Sequence, residues 1–196
     1  MAASAAGFRG LALAGACIVA FAACSAPTPS PSPPPPSRPP PTPSDVAPEV
    51  QLDLGLLDAL PDAIDGLPLE PSPEGVEQAL ADPAVDRDVE AIAGGIVAQS
   101  DGQFAYATVA RLRPNVMSEE FFRDWRDTFD AAACEPTGGV AGHAEAEIDG
   151  RGVFIGTCGQ GLRTYHTHLS RRNLLVSISS LGELRLGERL LEDLTD

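Results

Sequence analysis

The sequence predicts an α+β domain: a single antiparallel sheet with helices packed on one or both faces, and one disulfide. Residues 118–134 carry apolar side chains at spacings of three and four, which is typical of an amphipathic helix. From residue 144 the apolar spacing changes to two, and turn sequences separate the strand-like segments. No long crossover separates these segments, so the strands are expected to pair antiparallel.

The folded region opens with short elements. An apolar helical pattern ends before Pro61, and Asp65-Gly66 predicts a turn in front of a short strand over 67–69. Ser72 followed by Pro73 predicts a helix start, because serine caps a helix and proline fits its first position.

The next stretch is ambiguous and is followed by a hairpin. Asp86 fits the cap of a short helix through Ala93, and "GGIVAQ" then fits a strand. Asp101-Gly102 predicts a hairpin turn. The alternation from Phe104 to Arg113 predicts the strand that follows it.

The clearest helix lies in "SEEFFRDWRDTFDAAAC". Ser118 fits its cap, and two glutamates occupy the first turn, where the helix dipole favours negative charge. Pro136 is expected to end the helix. The spacing predicts that a buried stripe faces the core, formed by Phe122, Trp125, Phe129 and Ala132.

Four strands and a last helix complete the domain. The strands are expected over residues 144–148, 152–158, 162–169 and 174–179, as an antiparallel meander. Ser180 and Glu183 fit a capping box for the final helix. The apolar stripe of that helix is expected to consist of Leu186, Leu190 and Leu194.

The N-terminus has the pattern of an export signal. Arg9 precedes an apolar run of about 13 residues, 11–23, whereas a membrane-spanning helix needs roughly 20. The run ends in "FAAC", which resembles the lipobox of bacterial lipoproteins. The resemblance implies that residues 1–23 are a signal peptide and that Cys24 becomes a lipidated N-terminus. Cys17, preceded by "AGA", is a second candidate.

Residues 24–48 comprise Cys24 and a proline-rich segment that leads to the folded domain, residues 49–196. Twelve of the 22 residues from Pro27 to Pro48 are proline. Such a composition favours extended polyproline II and buries too little apolar surface to fold. We interpret the segment as a stalk that spaces the domain from the membrane; the alternative is a proline-rich ligand for a recognition domain.

The charge of the chain restricts its partners. With 28 acidic side chains against 13 basic ones, the formal net charge is −15. Nucleic acid requires a basic surface, so it is excluded as a partner. The charge also disfavours docking on anionic lipid, which leaves the N-terminal lipid on Cys24 as the expected link to the membrane.

Cys134 and Cys158 are expected to form a disulfide, because two thiols in an exported domain pair most simply with each other. The alternative is that Cys158 is a free nucleophile with His166 as its base.

The three histidines of the chain give weak candidates for metal ligands. His166 and His168 lie two apart in a predicted strand and therefore share a face, and His143 precedes them. Imidazoles placed in this way bind zinc or copper, but half-exposed strand histidines without a ligand are the commoner case.

The sequence contains no nucleophile elbow, phosphate-binding glycine loop, C-x-x-C or H-E-x-x-H motif. From the lipobox resemblance and the stalk we expect a bacterial lipoprotein that is anchored in a membrane by its lipid and displayed outside the cytoplasm. Its domain is expected to be non-enzymatic, to need no cofactor and to bind a protein or a small molecule. A metal-binding protein using His143, His166 and His168, and an enzyme without a readable motif, remain as alternatives.

Overall fold

The computed structural model describes residues 49–80 and 83–196. Within these residues the strands are β1 (Gln51–Leu52), β2 (Ala63–Ile64), β3 (Leu67–Pro68), β4 (Glu70–Pro71), β5 (Val89–Ala98), β6 (Phe104–Leu112), β7 (Val140–Ile148), β8 (Arg151–Cys158), β9 (Arg163–Leu169) and β10 (Leu174–Leu181). The helices are α1 (Glu74–Leu80), α2 (Pro83–Asp88), α3 (Glu119–Cys134) and α4 (Leu186–Glu192). Short 3₁₀ segments cover Leu54–Ala59, Glu135–Thr137 and Gly159–Gly161.

The large sheet has the strand order β1-β5-β6-β10-β9-β8-β7, and β4 also pairs with β5. All of its described pairings are antiparallel except β1 with β5. The expected meander β7-β8-β9-β10 is confirmed, and the β5-β6 hairpin extends it from β10. The expectation of a single sheet is wrong, because β2 and β3 form a second, two-stranded sheet.

Helical segments cover both faces of the large sheet. On one face, the 3₁₀ helix Leu54–Ala59 and α4 pack on the alternate residues of β6 and β10 that include Val109 and Ile178. On the other face, residues of α1, α2 and α3 pack around Ile92, Leu112 and Leu175. Alternation along each strand therefore gives two cores, one on each side of the sheet.

The turns form as their residue types predict. Asp65 and Gly66 have φ values of 50° and 81°, and the pair connects β2 to β3. Asp149 and Gly150 have φ values of 48° and 72° and connect β7 to β8. Two successive positive φ values match the twist of a two-residue hairpin.

Two predicted helix boundaries are wrong. The helix expected from Asp86 through Ala93 ends at Asp88, and residues 89–98 form β5 instead. β5 pairs along its length with β6, so the hydrogen bonds to a neighbouring strand outweigh the local helical pattern.

The capping box expected from Ser180 and Glu183 is also absent, because Ser180 belongs to β10. Arg185 occupies the N-cap position of α4 and gives no side-chain cap. The Ser180 hydroxyl instead accepts a hydrogen bond from the Gly187 amide at 3.1 Å. The apolar stripe of α4 is confirmed for Leu186 and Leu190, which are buried, whereas Leu194 is buried beyond the end of the helix.

Among the described residues, no helix is long and apolar enough to cross a bilayer. The predicted signal peptide, the candidate lipidation sites Cys17 and Cys24, and the predicted stalk lie outside the described residues.

Candidate functional site

Helix α3 is capped by a side chain at its start and cross-linked to the sheet at its end. At its start the Ser118 hydroxyl accepts a hydrogen bond from the Phe121 amide at 3.1 Å, as the sequence predicts. At its end Cys134 forms a disulfide with Cys158 of β8, with their Cα atoms 5.1 Å apart. The disulfide prediction is confirmed. The alternative of Cys158 as a free nucleophile is wrong in this structure, because its sulfur is bonded to Cys134.

A buried carboxylate lies one helical turn before the disulfide. Asp130 is 1% exposed, and its Oδ1 accepts hydrogen bonds from the Thr164 hydroxyl at 2.5 Å and from His166 Nε2 at 2.8 Å. Its other oxygen lies 3.1 Å from Nε2 of His143 on the edge strand β7. Gly156 makes room for this carboxylate, since a Cβ there would lie 2.7 Å from Asp130 Oδ2.

The hydrogen bonds continue from His166 back to helix α3. His166 Nδ1 lies 3.0 Å from the Ser177 hydroxyl, and that hydroxyl accepts a hydrogen bond from Trp125 Nε1 at 2.9 Å. Indole N–H only donates and a carboxylate only accepts. One tautomer therefore satisfies the chain: His166 donates from Nε2 to Asp130 and accepts at Nδ1 from Ser177.

The network keeps Asp130 ionised. Burial alone would raise the pKa of Asp130. The hydrogen bonds from His166 and Thr164 favour the charged carboxylate, and the pKa of Asp130 is held below its usual value despite this burial. At neutral pH the helix is thus held to the sheet by hydrogen bonds to a charged group, which are stronger than neutral ones.

Ser177, His166 and Asp130 have the residue types of a nucleophile, base and acid, but their geometry serves another role. Ser177 and His166 are both 0% exposed, so a substrate has no approach to the serine hydroxyl. The Ser177 oxygen also holds the Trp125 indole. In catalytic triads, moreover, serine bonds Nε2 of the histidine and aspartate bonds Nδ1, the reverse of this arrangement. The network therefore orients side chains and does not present a nucleophile.

Of the three histidines that the sequence identifies as candidate ligands, two contact Asp130 and the third lies beside another residue. His143 and His166 contact opposite oxygens of Asp130, whereas His168 Nε2 lies 3.4 Å from the Asn173 side chain. Across residues 49–80 and 83–196, no group of three or more His, Cys, Asp or Glu side chains is placed to hold a metal ion.

The sequence prediction of the α3 stripe is partly wrong. Phe122, Trp125 and Phe129 are half-buried, but Ala132 is exposed, and the fully buried residues of the helix are Asp130 and Cys134. One signal was available for Asp130: Cys134 must face its partner on the sheet, and the residue four positions earlier shares that face. Ser177 and Thr164 gave no such signal, because polar residues are common in strands.

A polar row crosses the sheet beneath α3. The cross-strand pairs join Gly94 to Thr108, Thr108 to Ser177 and Ser177 to His166. Thr108 and its strand neighbour Tyr106 lie on the part of the sheet between α3 and the pair α1–α2. This part of the sheet is the floor of a groove.

The groove has a volume of about 560 Å³, within the range of small-molecule sites. One wall is α3, which contributes Phe121, Trp125 and Phe129, and the other wall is formed by α1 and α2, which contribute Ala79 and Val85. The network sets the α3 wall, because Trp125 is hydrogen-bonded to Ser177 and the Phe129 ring packs edge-on against His166 at 5.2 Å. We call this cavity the aromatic groove.

Tyr106 lies at the floor of the aromatic groove. Its hydroxyl is buried and makes no hydrogen bond of acceptable geometry with a described residue, although the Thr108 side chain lies close by. The hydroxyl fits only because two neighbours lack side chains: a Cβ at Gly75 or Gly94 would lie within 2.3 Å of it. Burial raises the pKa of Tyr106, so this hydroxyl stays protonated.

A second cavity, of about 580 Å³, lies against α4 on the opposite face of the sheet. Its lining is mostly charged, and its two arginines are paired with acids of the same cavity: Arg185 with Glu188, and Arg189 with Asp65. These pairs neutralise the cations within the cavity. The aromatic groove, with its larger apolar surface, is therefore the better candidate for ligand binding.

The fold and the groove together define an α+β domain with a ligand-sized groove, bounded by two helical walls above a mostly antiparallel sheet. Comparisons with protein-family models, curated proteins and solved structures find no match to this chain.

Proposed function

We propose that this chain is an exported protein, anchored outside the cytoplasmic membrane by a lipid on Cys24, whose domain binds a small apolar ligand in the aromatic groove. The single observation that carries the binding role is the groove itself: apolar walls on two separate helical units, open above a sheet. The buried network behind α3 supports this role, because a rigid wall lowers the entropy cost of ligand binding.

Two observations support the location. Arg9, the short apolar run and Cys24 form the signal pattern of lipoproteins. The disulfide between Cys134 and Cys158 supports export, since structural disulfides are rare in a reducing cytosol and common outside it.

Trp125 makes the binding proposal directly testable. It is the single tryptophan of the chain and lines the aromatic groove, so a change in its fluorescence in the folded protein reports a change at the groove. The full-length protein in phosphatidylcholine vesicles is titrated with 1-adamantanol, an uncharged apolar probe that does not absorb near 295 nm. A saturable change in Trp125 fluorescence is expected.

A matched pair of variants locates the binding. Thr128 lines the groove and Asp127, the preceding residue on the same helix, does not, and both are exposed. Thr128→Phe should fill the groove and weaken 1-adamantanol binding at least tenfold, while Asp127→Phe adds the same ring outside it and should leave binding unchanged. No saturable change in the unmodified protein, or equal losses in both variants, would refute the groove as the binding site.

The anchor is tested separately by metabolic labelling with a fatty-acid probe in a bacterial host. Cys24→Ala should abolish the label and Cys17→Ala should keep it. Labelling that depends on Cys17 would assign the lipid to the wrong cysteine in our proposal.

A further inference from the structure

The charges at the rim of the aromatic groove point to the class of ligand, an inference that rests on the proposed function. Among the described lining residues, three are charged: Arg87 and Asp88 on one wall and Asp124 on the other. Arg87 and Asp88 form a two-point pair, with Nε–Oδ1 and Nη2–Oδ2 distances of 2.9 and 2.5 Å. This pair is electrically balanced, so the remaining charge of the rim is the carboxylate of Asp124.

Asp124 is available to a ligand. Its side chain is 69% exposed, and its nearest cation, Arg123, lies at 3.7 Å. An exposed pair at this distance is worth little in water, so the carboxylate is held only weakly. The long-range field has the same sign, because the chain carries a net charge of −15.

The aromatic wall favours the same kind of ligand. The rings of Phe121 and Trp125 lie on the turn of α3 that carries Asp124, with their centroids 6.0 Å apart. Aromatic faces attract cations, and tryptophan does so most strongly. The groove thus combines apolar surface, aromatic faces and a negative rim.

We infer that the ligand of the aromatic groove is an apolar molecule that carries a positive charge, such as a hydrophobic amine. The apolar body lies between the two helical walls, and the cationic group lies at the rim beside Asp124 and the Trp125 ring. Anionic amphiphiles, including fatty acids, are disfavoured by the rim and by the net charge of the chain.

Three probes with the same apolar cage separate charge from shape: 1-aminoadamantane, which is cationic at pH 7, uncharged 1-adamantanol, and anionic 1-adamantanecarboxylate. Each is titrated against the full-length protein in phosphatidylcholine vesicles at low ionic strength, with Trp125 fluorescence as the readout. The amine should bind about fivefold more tightly than the alcohol, and the carboxylate more weakly than both. Added salt should reduce the difference.

The chain offers a matched control for the rim charge. Asp124 and Asp127 lie three residues apart on α3, and each is paired with the arginine directly before it. Only Asp124 lines the groove. Asp124→Asn should reduce the preference for the amine over the alcohol about threefold, because the Trp125 ring remains, whereas Asp127→Asn, with the same change in net charge, should reduce it less than about 1.5-fold.

The outcomes separate this inference from the proposed function. Binding of the alcohol with equal or tighter binding of the carboxylate than of the amine would overturn the inference and leave the groove as a binding site. Equal effects of Asp124→Asn and Asp127→Asn would also overturn it, because the rim carboxylate would then have no local role. Failure of the alcohol to bind would refute the groove as the binding site and, with it, the inference that rests on it.

Discussion

Replacing Asp130 by alanine is expected to destabilise the domain more than any change on the exposed face of α3. Asp130→Ala removes the acceptor of two buried donors, the Thr164 hydroxyl and His166 Nε2. Each buried donor left without a partner costs about 1–3 kcal/mol, so we expect a loss of about 3–5 kcal/mol. Domains of this size have about 5–15 kcal/mol of stability in total.

Two further variants grade this effect. Asp130→Asn keeps one oxygen for both donors and loses the charge, so about 1–2 kcal/mol should be lost. Asp127→Ala removes an aspartate that is half-exposed on the same helix, and it should change the free energy of unfolding by less than about 0.5 kcal/mol.

Urea unfolding at pH 7, followed by Trp125 fluorescence and by far-ultraviolet circular dichroism, measures all three variants. Trp125 is bound to the same network through Ser177, so its signal reports the loss of the α3 contact directly. A change below about 1 kcal/mol for Asp130→Ala would refute the reasoning, since it would mean that the network contributes little to holding α3 on the sheet.

Three other outcomes are expected. Because the pKa of Asp130 is lowered in the folded state, the stabilisation from its carboxylate is complete above its unfolded pKa of about 3.9 and is lost as the pH falls through the folded pKa. The difference in unfolding free energy between the unmodified protein and Asp130→Asn should therefore shrink below about pH 4. A difference that stays constant down to about pH 2 would contradict this. Replacing Cys134 and Cys158 together by serine should cost about 3 kcal/mol, and thiol labelling of the native domain should find neither cysteine free. Tyr106→Phe should leave the thermal stability of the domain unchanged or raise it slightly. Tyr165→Phe removes a hydroxyl that donates to Glu188 at 3.2 Å, so it should cost about 1 kcal/mol. The reverse order would show that the Tyr106 hydroxyl is hydrogen-bonded.

Much of the fold follows from local sequence patterns. The boundaries of α3 were predictable because Ser118 supplies a cap and the apolar spacing is regular. The meander was predictable because alternation and turn residues such as Asp149-Gly150 mark strand ends within a few residues. The disulfide was predictable because the folded domain contains two cysteines and the chain is expected to be exported to an oxidising compartment.

Other features depended on contacts between distant segments. Residues 89–93 are strand because β6 lies beside them, and no local signal records that pairing. Asp130 is an acidic residue on a helix rich in charge, and it lies outside the apolar spacing that predicts the buried stripe of α3.

The sequence by itself determined the class of fold, the order of most elements and the pairing of Cys134 with Cys158, because capping, alternation and turn chemistry act over a few residues. Only the tertiary structure decided that Thr164, His166 and Ser177 meet Asp130 beneath α3. It also decided that α1 and α2 stand apart from α3 and leave the aromatic groove between them. The physical reason is that burial and polar pairing are set by the strand order of the sheet, which brings residues more than 30 positions apart into contact.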